Sequence, residues 1–107
     1  MKIILYDLPK VSLNKWYAGM HWTKRKKLKD NYTILVRSQF SQQLPPKSYN
    51  TEYHFTFKSR PLDASNCVAM VKMVEDIIFE SDSYKVVKSL LITSKKGTRD
   101  MLEIKII

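Results

Sequence analysis

Residues 62–82 read LDASNCVAMVKMVEDIIFESD, and the fold turns on them. Cys67, Met70, Val71, Val74, Ile77 and Ile78 recur at the 3.6-residue spacing of one helix face, so a helix is expected from Asn66 to Phe79. Asn66, Ala69, Lys72, Glu75 and Asp76 fall on the other side as a narrow polar strip, with Lys72 three and four residues before the two acids. Ser65 or Asn66 is placed to cap the start, because either side chain can accept from the orphan backbone N–H groups of a first turn. Val68 and Met73 beside so thin a strip imply cover on more than one side, by the body of the domain and by a partner chain. A loop with a carboxylate flanks each end, Asp63 before the helix and Asp82 after it.

Upstream of this stretch, Thr51 to Lys58 alternates Tyr53, Phe55 and Phe57 against His54, Thr56 and Lys58, the pattern of a half-buried strand. His54 lacks a second His or Cys at ligand spacing and reads as a strand-face residue. Before it, Thr23 opens a helix with Leu28, Tyr32, Leu35, Val36 and Phe40 as its buried stripe, stopped by Leu44-Pro45-Pro46. Residues 9–22 read as a loop, and Ile3 to Tyr6 as a first strand ended by Pro9. Downstream, Tyr84 to Thr93 and Met101 to Ile107 read as two strands of a hairpin turned at Lys95-Lys96-Gly97. The element order β-α-β-α-β-β makes one α+β domain over residues 1–107, a small mixed sheet with two main helices.

Nineteen Lys and Arg against ten Asp and Glu give a net charge of +9 on 107 residues, which favours a polyanionic partner, nucleic acid before a membrane surface. No apolar run approaches the length of a membrane span, and MKIILYDLPK is too short in apolar residues for a signal peptide, so no membrane role is expected. The single Cys67 excludes an intrachain disulfide and points to a reducing, cytoplasmic setting. Lys24, Arg25, Lys26, Lys27 and Lys29 crowd the first turns of the basic helix, against the positive end of its dipole. Phosphate contact accounts for that placement, and a merely solvated face is the alternative. Trp16, Tyr17 and Trp22, beside Lys15, either stack on bases and lie along sugar-phosphate or cap a small core.

No Gly-rich phosphate loop, GxSxG, HExxH or CxxC occurs, and nothing calls for an organic cofactor. What remains is an acidic set, Asp63, Glu75, Asp76 and Asp82, inside a basic protein. Carboxylates without His or Cys suit a hard ion, Mg²⁺ with Mn²⁺ as a substitute, and such an ion beside a cationic surface is suited to phosphodiester hydrolysis. Lys72 would then offset charge in the transition state or hold Glu75 and Asp76 in place. The plainer alternative is a loop or capping role for Asp63 and a surface ion pair for Lys72.

The same residues resemble the RusA-like family of phage and prophage Holliday-junction resolvases, which carry a strand, a D-x-D-N loop, a helix with a Lys and an acid, and a further Asp just before a strand. Asp63, Asn66, Lys72, Asp76 and Asp82, the last within DSYKVV, match that order, and LPKVSLNKWY, the basic helix and the KKG turn are similar too. The resemblance implies a Mg²⁺-dependent homodimeric endonuclease, phage or prophage encoded, that nicks four-way DNA in pairs in the bacterial cytoplasm. It implies catalytic roles for Asp63, Lys72, Asp76 and Asp82; the acidic set read above gives Asp63, Glu75, Asp76 and Asp82 as metal ligands, and the basic residues Lys15, Lys24, Arg25, Lys26, Lys27, Lys29 and Arg60 are expected to contact phosphates. Two departures stand out: Ser65 occupies the place of the second Asp, and the Asn66-to-Lys72 spacing is longer by nearly one turn, so that if Lys72 is not the equivalent residue Ala69 takes its place and the lysine's role is lost. Either Glu75 or Asp76 supplies the missing carboxylate, or metal binding is weakened.

At 1.5 Å rise per residue, a helix from Asn66 to Phe79 spans roughly 21 Å, too far for Asp63 and Asp82 to share an ion within one chain. Two such helices antiparallel about a twofold would bring Asp63 of one chain to Asp82 and Asp76 of the other. The expectation is therefore a dimeric enzyme with composite sites, with a shorter helix and a tightly curled 79–83 loop as the competing geometry. The rivals are a catalytically degenerate nucleic-acid-binding protein and a basic phage protein that binds another protein.

Overall fold

Tyr53, Phe55 and Phe57 alternate along the strand on which the sheet is built, and all three are buried. That strand is β2 (Tyr49–Phe57) in a computed structural model that describes residues 1–81 and 83–107. Before it come β1 (Lys2–Tyr6), a short helix α1 (Leu13–Tyr17) and the long helix α2 (Trp22–Gln39). After it come a 3₁₀ turn (Ala64–Cys67), α3 (Val68–Ile78), β3 (Val87–Lys96) and β4 (Met101–Ile106). The four strands form one mixed sheet in the order β1-β4-β2-β3, so the α+β expectation holds.

The hairpin reading does not hold. β3 runs parallel to β2, and β4 runs antiparallel to β2 on its other side, so β2 separates the two strands assigned to a hairpin. The cause lies in α3: a strand reached through a helical crossover returns parallel. The chain must then pass over the end of β2 to reach β4. It does so at Gly97, whose N–H donates to the Phe57 carbonyl at 2.9 Å, while Asp100 Oδ1 accepts from the Lys58 N–H at 3.0 Å. A Cβ at Gly97 would overlap Thr56 Cγ2, so any other residue at the crossing requires that side chain to shift.

The helix face Cys67, Met70, Val71, Val74, Ile77 and Ile78 is buried as expected, against a core that includes Leu5, Leu102 and Ile104. Met73 is also buried within one chain, while Val68 is half-buried. Each fully buried aliphatic side chain contributes roughly 1.5–3 kcal/mol. An exposed i,i+4 charge pair adds about 0.3–0.5 kcal/mol, so burial, and not the polar strip, holds the helix. Neither Ser65 nor Asn66 caps α3. The chain enters through the 3₁₀ turn, where the Asp63 carbonyl accepts from the Asn66 N–H at 2.8 Å and the Cys67 N–H at 3.2 Å. At the other end Arg37 donates to the Ile77 carbonyl at 2.7 Å, and the Leu44 N–H donates to the Ile78 carbonyl at 2.7 Å. Those bonds satisfy carbonyls that a helix end leaves open.

Residues 9–22 are not all loop. Ser12 accepts from the Lys15 N–H at 3.2 Å and starts α1. Gly19, at φ +127°, turns the chain into α2, which His21 caps through the Thr23 N–H at 3.3 Å. α2 buries Tyr32 and Val36, with Leu28, Leu35 and Phe40 packed against the same core, as its stripe predicts. Its Tyr32 hydroxyl donates to the Pro9 carbonyl, and burial pushes that phenol well above its ordinary pKa. Among the described residues, no helix is long and apolar enough to cross a membrane.

Candidate nucleic-acid interface

α1 lies against the 3₁₀ turn and the start of α3, and α2 packs along α3. Between these helices runs a groove lined by Trp16, Tyr17 and Lys29 on one wall and Val68, Lys72 and Asp76 on the other. A second depression, at the entry to the 3₁₀ turn, is lined by Lys10, Lys15, Arg60, Asp63 and Asn66. Lys29 of the basic helix thus borders the exposed Asp76, and Lys10, Lys15 and Arg60 border the exposed Asp63.

Asp63 occupies the N-cap position of the 3₁₀ turn, but its side chain makes no capping bond and is exposed. Among the described residues it forms no ion pair with the cations of its depression either, so a side-chain capping role for this acid fails and a plain loop position is the alternative left to it. Cys67, fully buried just after it, has its thiol pushed up to about 11, first by burial; a hydrogen bond with Ser94 opposes the shift and the nearby Asp63 charge adds to it.

Glu75 does not belong to the polar strip. It is 5% exposed and lies near Tyr53, whose phenol is raised well above its ordinary value, chiefly by burial and further by the Glu75 charge. The reason is the helical angle: Glu75 is four residues from Val71, and the sheet covers that side of α3. Ala69 is buried as well, leaving Lys72 and Asp76 as the exposed positions of the helix. Ser65 is exposed. Asp82 lies outside the described residues.

From Asp63 to Asp76 the chain makes one 3₁₀ turn and about two and a half α-turns, an axial separation on the order of 20 Å. Asp63 and Asn66 present hard oxygen donors of the kind Mg²⁺ takes, yet Asp76 is too distant to complete their set within one chain. Among the described residues, no three His, Cys, Asp or Glu side chains come together.

The cations divide by role. Lys15, Lys24, Lys27 and Arg60 are exposed. Lys26 is 3.4 Å from Asp30 in a solvated pair. Arg25 is engaged within the chain. Its guanidinium donates to the Trp16 carbonyl and lies 5.4 Å from the Trp16 ring, with Lys29 5.7 Å from the same ring. Those contacts fix α1 on α2, a role the sequence hid because Arg25 sits inside a run of cations. Lys10 was not among the expected contacts. It donates to Ser59 Oγ at 3.1 Å and to the Arg60 carbonyl at 2.8 Å, tying the chain after β1 to the loop before Asp63. His54 is a strand-face residue, paired with Thr93 Oγ1 at 2.6 Å and Glu52 at 2.9 Å.

Comparison with protein-family models, with curated proteins and with solved structures finds no match to this chain. The fold defines an α+β domain with a four-stranded mixed sheet and, between its helices, a groove that holds Lys29, Lys72 and Asp76.

Proposed function

We propose that this protein is a divalent-metal-dependent endonuclease of the RusA-like kind, acting as a homodimer on branched DNA in the cytoplasm of a bacterium that carries the phage or prophage encoding it. The observation that carries the reading is Asp63: an exposed carboxylate with no capping bond, set among Lys10, Lys15, Arg60 and Asn66. An acid kept there weakens phosphate binding, so its presence needs a use that electrostatic attachment does not supply.

Asp63 and Asn66 would hold one face of a Mg²⁺ or Mn²⁺ ion, with Asp76, and Asp82 beyond the described residues, as further ligands. When bound, such an ion polarises a phosphoryl oxygen and lowers the pKa of a water. Lys15, Lys24, Lys27 and Arg60 would grip phosphates and fix the strand's path, reading shape and not sequence. Lys29 and Lys72, on opposite walls beside Asp76, would offset charge on a phosphate drawn into the groove. Homodimerisation is supported by the separation of Asp63 and Asp76, which a second copy can close.

Ser65, and the inward turn of Glu75, favour a second reading: a protein that binds junctions without cutting them. One experiment separates the two. A labelled four-way junction incubated with Mg²⁺ is expected to be nicked in pairs, with an equal-length duplex left intact and no cutting in EDTA. An uncut junction in both Mg²⁺ and Mn²⁺ supports binding alone. No preference for junction over duplex at 200 mM salt, where non-specific phosphate contact is largely lost, sinks both readings and leaves the protein-binding rival.

A further inference from the structure

Tyr17 and Trp22 flank the turn between α1 and α2, and they are 71% and 67% exposed. The His21 ring lies tilted 5.8 Å from Trp22 and leaves most of it open, whereas Trp16 beside them is held under Arg25 and Lys29. No acid occurs in the sequence between Asp7 and Asp30, and Lys15 and Lys24 line the depression at the turn between the two rings. Tyr17 also forms part of the groove wall that continues to Lys72 and Asp76.

A duplex can satisfy the lysines but not the rings, because its base faces are already stacked on one another. Unpaired bases can satisfy both, and base–aromatic stacking is tolerant of sequence. A lipid surface would also attract Trp, Tyr and Lys, but insertion needs neighbouring aliphatic side chains. The depression at this corner is lined instead by Asn14, Lys15, Ala18, Gly19, Met20, His21 and Lys24, mostly small or polar.

We propose that Tyr17 and Trp22 are stacking platforms for the unpaired bases of a single-stranded segment whose phosphates lie along Lys15 and Lys24. The inference rests on the nucleic-acid half of the function proposed above and not on cleavage. The probes are a thymidine oligonucleotide and an abasic oligomer of equal length, which share phosphates and differ in bases. In a Trp16→Phe background, where Trp22 is the sole tryptophan, the thymidine oligomer quenches its fluorescence and the abasic oligomer does not. Tyr17→Ala and Trp22→Ala each weaken thymidine binding by about 10-fold and leave abasic and duplex binding unchanged, whereas Tyr17→Phe, which keeps the ring, binds as the parent does.

Equal affinity for the two oligomers overturns the proposal, as does an equal loss on both from the alanine variants. So does binding to anionic phospholipid vesicles with no response to either oligomer. Failure to bind any DNA removes the nucleic-acid reading along with it. Base-dependent binding with an uncut junction removes only the endonuclease.

Discussion

Asp63→Asn slows junction cleavage by about 100-fold or more while junction affinity, measured in EDTA, stays equal or rises. The sign of the second effect is what makes the variant informative. Asp63 stands among Lys10, Lys15 and Arg60, so removing its charge leaves those cations freer to meet phosphate. Asparagine keeps the shape of the side chain, and the capping work at this position is done by the Asp63 backbone carbonyl, which the substitution does not touch. Stability should therefore change by less than about 0.5 kcal/mol, as for surface substitutions away from special features. Single-turnover nicking, fluorescence anisotropy and urea denaturation measure the three quantities. If Asp63 were a structural residue, stability would fall first and cleavage and binding would fall with it.

Gly97→Ala is expected to destabilise the fold by about 1–3 kcal/mol, the usual range for forcing a methyl into filled space. The new Cβ would overlap Thr56 Cγ2. Thr56 is buried on β2, between β3 and β4, so its side chain must turn within packed surroundings to make room. The prediction has an internal control. Thr56→Ser removes the methyl that clashes, so in that background Gly97→Ala should cost at least about 1 kcal/mol less, an interaction that a double-mutant cycle isolates. Had β3 and β4 formed a plain hairpin, Gly97 would sit at a turn in open solvent. Its replacement by Ala would then be nearly neutral and indifferent to Thr56. Urea denaturation of the four proteins decides between these topologies.

Much of the fold was legible because burial follows period. The stripe from Cys67 to Ile78 and the alternation of Tyr53, Phe55 and Phe57 each declare one apolar face, and each face is buried where its period puts it. Pairing order was not legible. The run through Lys96-Gly97 carries a turn signal, and nothing local says that β2 lies between the strands it joins. α1 escaped for a related reason: five residues are too few to show a helical period, and only Ser12, an N-cap residue three before Lys15, marked its start. On α3 the polar strip was drawn too wide. Glu75 is charged and reads as solvent-facing, yet position decides, and its position points at the sheet beside Tyr53. Charge likewise concealed Arg25, whose work is to hold Trp16.

The candidate site was legible as a composition of residues more than as a geometry. Asp63, Lys72, Asp76 and the basic helix were recognisable by type. Their division between two depressions follows from how α1 and α2 seat on α3, which no spacing rule encodes. The central claim is that Asp63 and Asp76, on the order of 20 Å apart along one chain, serve one cleavage centre built by two chains. It is tested by refolding Asp63→Asn chains with Asp76→Asn chains in equal amounts. Half of the dimers are then mixed, and each mixed dimer holds one centre with both acids intact. Nicking of a four-way junction should return to about a quarter of the wild-type level, from two proteins that are inactive alone. A mixture no more active than its two components would contradict the shared centre.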